Sequence, residues 1–114
     1  MDTAGIDPTV PPSGSGCVEC IATGGWWFHL RRCAQCGHVG CCDSSVSQHA
    51  MHHAADAGHG VVQSFEPDED WFWDYPAETY LEGPELVAPR EHPASQPVPG
   101  PADRVPLDWE SRLH

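Results

Sequence analysis

Cysteines and histidines concentrated in the first half of the chain constrain its fold more than any other feature. Two C-x2-C pairs, Cys17/Cys20 and Cys33/Cys36, are separated by twelve residues. Each pair presents two sulfur atoms from a single turn, and structural zinc takes four tetrahedral ligands from cysteine and histidine. The spacing therefore predicts zinc binding.

Four further donors follow the second pair. His49 and His53 are four residues apart in a predicted helix, so their rings project from one helix face. His59 lies just beyond Gly58, where the chain can fold back toward that face. The predicted ligands number eight, enough for two tetrahedral zinc ions per chain: Cys17, Cys20, Cys33, Cys36, Cys41, His49, His53 and His59.

The spacing alone leaves two groupings of these eight donors open. A sequential grouping places Cys17, Cys20, Cys33 and Cys36 on one zinc, with Cys41, His49, His53 and His59 on the other. An interleaved grouping places Cys17, Cys20, Cys41 and His49 on one zinc, with Cys33, Cys36, His53 and His59 on the other. Cys42 is expected to pack in the core, because adjacent residues on a strand point to opposite faces. Five histidines are expected to be non-ligands: His29, His38, His52, His92 and His114.

The composition explains why such a chain needs metal. Only 39% of its 114 residues are hydrophobic, and it contains 11 glycines and 12 prolines. Chains with so small a core usually need disulfides or metal to fold. We find no signal-peptide pattern or membrane-spanning stretch, so we expect a cytoplasmic protein whose cysteines are metal ligands.

The charge argues against nucleic acid as a partner. The formal net charge is −12, and residues 17–82 contain ten acidic residues against two arginines, a net of −8. Nucleic-acid binding normally requires a basic face that neutralises phosphates. We therefore expect no nucleic-acid or membrane partner, and we expect a monomer.

The chain divides into an organised block at 17–82 and two flanks. Residues 1–16 and the proline-rich residues 83–114 are predicted to be disordered. Within the block, strands are predicted at 26–32, 38–42, 61–65 and 71–75, and a helix at 45–57. The predicted fold class is α+β, with a short twisted antiparallel sheet and one main helix.

The order of these elements resembles the UBP-type zinc finger of ubiquitin-specific proteases. The resemblance covers about residues 17–80. It rests on C-x2-C, an aromatic strand, C-x2-C-G, a cysteine five residues later, and H-x3-H-x5-H with Gly58 before the last histidine. It looks like a stand-alone bacterial member of the family, and it implies the α+β fold and the interleaved zinc grouping.

The resemblance also implies a partner and a pocket. UBP-type fingers bind the free C-terminal tail of ubiquitin, and Trp27, Trp71 and Trp73 fall where the family's pocket aromatics lie. The family's pocket arginine is replaced by Asp43, and a carboxylate repels a peptide carboxylate. This departure argues against ubiquitin recognition in its usual form. The family's third C-x2-C is replaced by Phe72 and Tyr75, so we expect no third metal.

These features predict a non-catalytic protein-interaction module that binds a protein or peptide C-terminal tail. One alternative is a zinc hydrolase, but the segment from His49 to His53 lacks the glutamate of H-E-x-x-H. The other alternative is a redox or metal-handling protein using C-x2-C chemistry, but nothing in the chain supplies the larger α/β domain that such motifs occupy.

Overall fold

A five-stranded antiparallel sheet forms the centre of the molecule. The computed structural model describes residues 6–93, 96 and 98–113. Its strands are β1 (Leu30–Cys33), β2 (Val39–Cys41), β3 (Val61–Ser64), β4 (Phe72–Asp74) and β5 (Thr79–Leu81), in the spatial order β2-β1-β3-β4-β5. The predicted α+β class is confirmed. The sequence did not predict β5, which is a three-residue strand paired with β4.

The main helix, α2 (His49–Ala57), begins four residues later than predicted. Gln48 has a left-handed backbone (φ 52°), which prevents the helix from extending backwards. Ser45 does not cap the helix. Its hydroxyl oxygen instead accepts a hydrogen bond from the Phe28 backbone N–H at 2.9 Å. The helix ends as predicted at Gly58, also in the left-handed region (φ 72°).

A second, shorter helix, α1 (Val18–Thr23), contains part of the first C-x2-C pair. The Cys17 sulfur accepts the backbone N–H of Cys20 at 3.4 Å and so caps the helix start. Gly24 ends it with φ 79°. The first pair therefore forms one turn of helix, which the sequence did not predict. No helix in the described part of the chain is long and apolar enough to cross a membrane.

The strand register separates the two faces of the sheet. Cys33, Val62, Trp73 and Tyr80 lie opposite one another across β1, β3, β4 and β5, so their side chains share one face with Arg31. Helix α2 packs near Gly40, which is paired with Arg31. The zinc ligands of α2 and the tryptophan of β4 therefore lie on the same side of the molecule.

The opposite face is covered by the two flanks that the sequence predicts to be disordered. Ile6 and Leu86 are buried against Phe72 and Val61 in an apolar cluster. The backbone N–H of Asp7 donates to the Ala34 carbonyl at 2.7 Å. Residues 6–13 and 86–92 therefore pack against this face of the sheet, where their apolar side chains join Val61 and Phe72.

The chain beyond residue 93 also contacts the domain at several points. Gly100 and Trp27 exchange backbone hydrogen bonds at 2.7 and 2.9 Å. The Arg104 guanidinium donates to the Cys20 carbonyl at 3.0 Å, near the end of α1. Trp109 lies 5.5 Å from Phe28 between ring centroids, whereas Leu107 is exposed.

Candidate metal centres and the neighbouring cleft

The first cluster of donors consists of Cys17, Cys20, Cys41 and His49. Their ligand atoms lie within 4.8 Å of one another. The Nδ1 atom of His49 is 3.2, 3.4 and 3.5 Å from the three sulfurs, in chain order. The cluster joins α1, the end of β2 and the start of α2. The Cys41 sulfur also accepts the backbone N–H of His49 at 3.2 Å, which fixes the helix start beside the cluster.

The second cluster consists of Cys33, Cys36, His53 and His59, again within 4.8 Å. Cys33 ends β1, and its sulfur lies 3.6 Å from Nδ1 of His59. The sulfur of Cys36 lies 3.3 Å from Nε2 of His53. The structure therefore groups the eight predicted donors in the interleaved order, and α2 supplies one histidine to each cluster.

The protonation of the first cluster shows why a dication fits there. Cys20 and Cys41 donate hydrogen bonds to Cys17 and lower its pKa to about 2. The same sharing raises the pKa of Cys41 to about 12 and raises that of Cys20 as well. The three buried sulfurs therefore do not ionise independently, because a negative charge on one disfavours a charge on the others. Zinc stabilises all three thiolates at once, which is the form that ligates.

The second cluster has the same character. Burial raises the pKa of Cys33 to about 11, so that its thiolate needs a cation to form at neutral pH. Burial, then the neighbouring His38 and His59, lower the pKa of His53 and favour the neutral imidazole that binds metal. The two clusters therefore fit two zinc ions, with Cys3His and Cys2His2 ligand sets.

The remaining cysteine and histidines lie outside both clusters. Cys42 is buried, with its sulfur 3.5 Å from the Ser45 hydroxyl. Burial opposes its ionisation, but hydrogen bonds from His29 and Ser45 outweigh burial and lower its pKa to about 7. His29, His38, His52 and His92 belong to neither cluster, and His114 lies outside the described residues.

A cleft of about 210 Å³ lies beside the metal centres on the same sheet face. The Tyr80 ring meets Trp73 edge-on at 4.8 Å and Trp71 at 5.5 Å between centroids. The Arg31 guanidinium lies 4.6 Å from the centre of the Trp71 ring, a cation–π contact. The cleft is lined by His29, Arg31, Cys42, Asp43, Ser44, Val62, Trp71, Trp73, Tyr75 and Tyr80.

The comparisons with known proteins agree with this arrangement. Residues 17–86 match the family model described as the zinc finger in ubiquitin-hydrolases and other proteins. The chain belongs to this family. The solution NMR structure of a protein from Rhodopseudomonas palustris is 42% identical, with a TM-score of 0.62, and the match covers 80% of this chain and 85% of that one. The comparison with curated proteins found no match.

Two of the three tryptophans predicted for the UBP-type pocket lie in the cleft, and one does not. Trp71 and Trp73 line it. Trp27 is only 3% exposed and packs in a core cluster with Leu30, Val39 and Phe65, beside the first metal centre. The structure therefore assigns Trp27 to the core, because the long segment between the two C-x2-C pairs folds inward after α1.

Several cleft residues of this UBP-type finger were missed from the sequence, among them Tyr75, Tyr80 and Arg31. Tyr75 continues the alternation of Trp71 and Trp73, so a period of two residues signals it. Tyr80 could be placed only once β5 was known to pair with β4. Arg31 lies next to a second arginine in the sequence, and only the register shows that Arg31, and not Arg32, faces the cleft.

Asp43 lies at the rim of the cleft. Its carboxylate accepts a hydrogen bond from the Tyr75 hydroxyl at 3.2 Å. Burial, and then the Asp43 charge, raise the pKa of Tyr75, so that the phenol keeps its proton and remains a donor. One carboxylate oxygen of Asp43 is therefore occupied within the protein.

Proposed function

We propose that this chain is a non-catalytic protein-interaction module whose cleft binds an extended peptide tail. The observation that supports this most directly is the aromatic cleft beside two metal clusters, with Trp71, Trp73 and Tyr80 on one sheet face. Aromatic side chains in a concave site commonly anchor a protein partner. The metal centres then serve to hold β1, β3 and α2 rigidly around that cleft.

The charges in the cleft favour a tail with a free carboxylate. Although Asp43 stands where the family has its arginine, a guanidinium reaches the cleft from β1 through Arg31. Arginine forms charge-assisted hydrogen bonds with carboxylates. We infer that Arg31 takes over the role of the missing arginine and that Asp43, engaged by Tyr75, weakens binding without abolishing it.

The small volume of the cleft limits what enters it. About 210 Å³ accommodates one or two small residues and is below the usual volume of a site for a drug-sized ligand. A tail ending in glycine fits both the volume and the charge. The overall acidity, −12, adds a preference for a partner whose surface around the tail is basic.

The ligand arrangement supports binding over catalysis. Each cluster contains four donors, whereas a catalytic zinc usually keeps a position open for water. Both C-x2-C pairs contribute to these clusters, which also argues against a dithiol redox role. We therefore propose that the metal is structural.

The test measures binding of a synthetic peptide ending in Gly-Gly to the zinc-loaded full chain by calorimetry. We expect the free-acid peptide to bind and the C-terminally amidated peptide to bind at least tenfold more weakly. Trp73→Ala and Arg31→Gln should each abolish detectable binding while zinc content stays at two per chain. Ile21→Ala, an exposed position on α1, is the control and should bind as the native protein does.

The proposal fails if Trp73→Ala binds the peptide with native affinity. Equal binding of the acid and amide peptides would instead reject the role of Arg31 and retain the cleft. If the native chain binds neither peptide, the proposed tail-binding function is wrong.

A further inference from the structure

A hydrogen-bonded bridge between the two metal centres lies outside both ligand sets. Glu19 lies between Cys17 and Cys20 of the first cluster. His38 follows Cys36 of the second cluster by two residues. The Nε2 atom of His38 is 2.9 and 2.8 Å from the two carboxylate oxygens of Glu19. The contact therefore joins the two C-x2-C turns directly.

His38 also contacts a predicted zinc ligand. Its ring stacks on that of His53 with 4.1 Å between centroids and 8° between planes. The Nε2 atom of His53 lies 3.3 Å from the Cys36 sulfur in the second cluster. His38 thus lies between Glu19 and His53, with one contact to each.

Glu19, at the other end of the bridge, lies close to a cysteine of the first cluster. The Cys17 sulfur lies 4.0 Å from a carboxylate oxygen of Glu19. A continuous set of contacts therefore runs from Cys17 through Glu19 and His38 to His53. The His38 side chain is largely buried (15% exposed), so its ring is held in place.

Glu19 also keeps His38 from acting as a competing ligand. A histidine stacked on a zinc ligand could turn its own nitrogen toward the metal. The Nε2 atom of His38 instead lies within hydrogen-bond distance of both oxygens of the Glu19 carboxylate. The His38 ring, held by Glu19, therefore lies parallel to the ring of the ligand His53.

We infer that the Glu19–His38 bridge couples the two metal centres, so that zinc at the first site strengthens zinc binding at the second. Loading the first site fixes α1 and therefore Glu19. Glu19 then orients His38, and His38 holds the His53 ring in its ligating plane. Helix α2, which supplies a histidine to each site, provides a second connection. The bridge adds to that connection.

The experiment follows metal loss from the zinc-loaded full chain at one fixed pH. Increasing chelator is added, and native mass spectrometry counts chains with two, one and no zinc. For the native protein we expect few one-zinc chains, because the coupled sites empty together. For Glu19→Ala we expect one-zinc chains to accumulate and the second site to bind zinc about tenfold more weakly, as for the loss of outer-shell partners elsewhere.

Cobalt substitution identifies which site empties first, since the Cys3His and Cys2His2 sets give different absorption spectra. The inference requires that Glu19→Ala, a change beside the first site's cysteines, releases metal first from the Cys2His2 site. His38→Phe retains a ring that can stack on His53 but cannot bond Glu19, so it should behave as Glu19→Ala does. The double variant should be no weaker than either single variant.

Asp56→Asn is the matched control. Asp56 is an exposed acid on α2 that acts electrostatically on His53 without contacting His38, and its loss should leave the one-zinc population unchanged. Native populations in Glu19→Ala would overturn the inference. The inference would also be overturned if Asp56→Asn raised the one-zinc population as much as Glu19→Ala does, because removal of any nearby negative charge would then explain both results. None of these measurements involves the cleft, so they stand or fall independently of peptide binding.

Discussion

Adjacent cysteines in this chain have different roles. Cys41 belongs to the first metal cluster, whereas the sulfur of Cys42 contacts Ser45 and lines the cleft. The sequence predicts this difference, because neighbours on a strand point to opposite faces. Burial is not what distinguishes a ligand here, since Cys42 is buried and Cys36, in the second cluster, is exposed.

Removing the Cys42 sulfur and removing the Cys36 sulfur should therefore affect zinc content differently. We expect Cys42→Ala to retain two zinc ions per chain and to lower the free energy of unfolding by about 1 kcal/mol, as for other small deletions in a core. Cys36→Ala removes a ligand and should reduce the zinc content to one or none, with a much larger loss of stability. Native mass spectrometry measures the zinc content, and urea denaturation measures the stability.

The zinc content of Cys42→Ala could contradict this assignment of the two adjacent cysteines. A Cys42→Ala chain with only one zinc would mean that Cys42 and not Cys41 is a ligand. It would also place the first metal centre at the edge of the cleft.

At the scale of elements, ligand spacing predicted more than hydrophobic pattern did. The C-x2-C pairs, the H-x3-H spacing and Gly58 placed the end of α2 and the eight donors, whereas the division of the donors into two groups came from the family resemblance. The predicted start of α2 at residue 45 was wrong by four residues. Ser45 bonds Phe28 instead, and the Cys41 sulfur takes the helix N–H. Which polar group a serine bonds depends on the tertiary structure.

Short elements were missed for a related reason. Helix α1 is capped by a cysteine sulfur, which does not appear among the usual N-cap residues. Strand β5 has three residues and owes its existence to pairing with β4. Arg31 and Tyr80 could not be assigned to the cleft before the register of these strands was known.

The contact between α2 and the sheet gives a test of packing at two glycines. A Cβ added at Gly40 would lie 2.7 Å from the Ala50 backbone nitrogen and 2.9 Å from its Cα. Backbone atoms of α2 cannot move aside without displacing His49 and His53. We expect Gly40→Ala to lower the free energy of unfolding by about 3 kcal/mol, at the upper end for overpacking, and to weaken zinc binding at both sites.

Gly58→Ala is the matched control for that change. Gly58 has φ 72° and nothing within 4 Å of its added Cβ, so only backbone strain of about 1 kcal/mol is expected. Urea denaturation of the two zinc-loaded variants compares them directly. Equal losses of unfolding free energy in the two variants would show that α2 does not pack tightly against β2 at Gly40.

At the scale of the whole molecule, the fold depends on more than the zinc-binding block. The two apolar clusters on the sheet face opposite the cleft are small, and one of them is completed by Ile6 and Leu86 from the flanks. The sequence suggested disorder there because proline and glycine dominate both flanks. Isolated apolar residues without periodicity give no sign of which surface they cover.

Arg32 is the residue that holds both flanks together. It is fully buried on the sheet face opposite the cleft, and burial lowers its pKa. Its guanidinium donates to the Pro89 carbonyl at 3.0 Å and to the Val10 carbonyl at 2.6 Å. Burying a charged guanidinium costs free energy. That cost is offset only when carbonyls of both flanks pack against Arg32 and accept its hydrogen bonds.

His92 fastens the C-terminal flank a second time. Its Nε2 lies 2.9 Å from a Glu66 carboxylate oxygen, and its backbone N–H donates to the Phe65 carbonyl at 2.9 Å. The other oxygen of Glu66 accepts the Leu30 N–H at 2.8 Å. The flank is thus attached to β1 and to the end of β3.

Arg32→Gln should release the flanks without releasing zinc. Glutamine is too short to reach both carbonyls, so we expect a loss of about 2 kcal/mol, as for hydrogen bonds to a charged group. Limited proteolysis should then cut within residues 6–13 and 86–92 faster than in the native chain, while mass spectrometry still counts two zinc ions. The Arg32 guanidinium bonds the flank carbonyls, whereas its neighbour Cys33 points to the other face of the sheet, which is why metal content should persist.

Arg90→Gln is the control for this prediction, because Arg90 is an exposed arginine in the same flank, paired with Glu85 at 2.8 Å. Exposed ion pairs contribute little, so neither stability nor proteolysis should change by a measurable amount. If Arg32→Gln were cut no faster than Arg90→Gln, the flanks would be held by their apolar contacts alone. If it lost zinc instead, the metal centres and the flanks would form one cooperative unit, and metal binding would depend on segments outside residues 17–86.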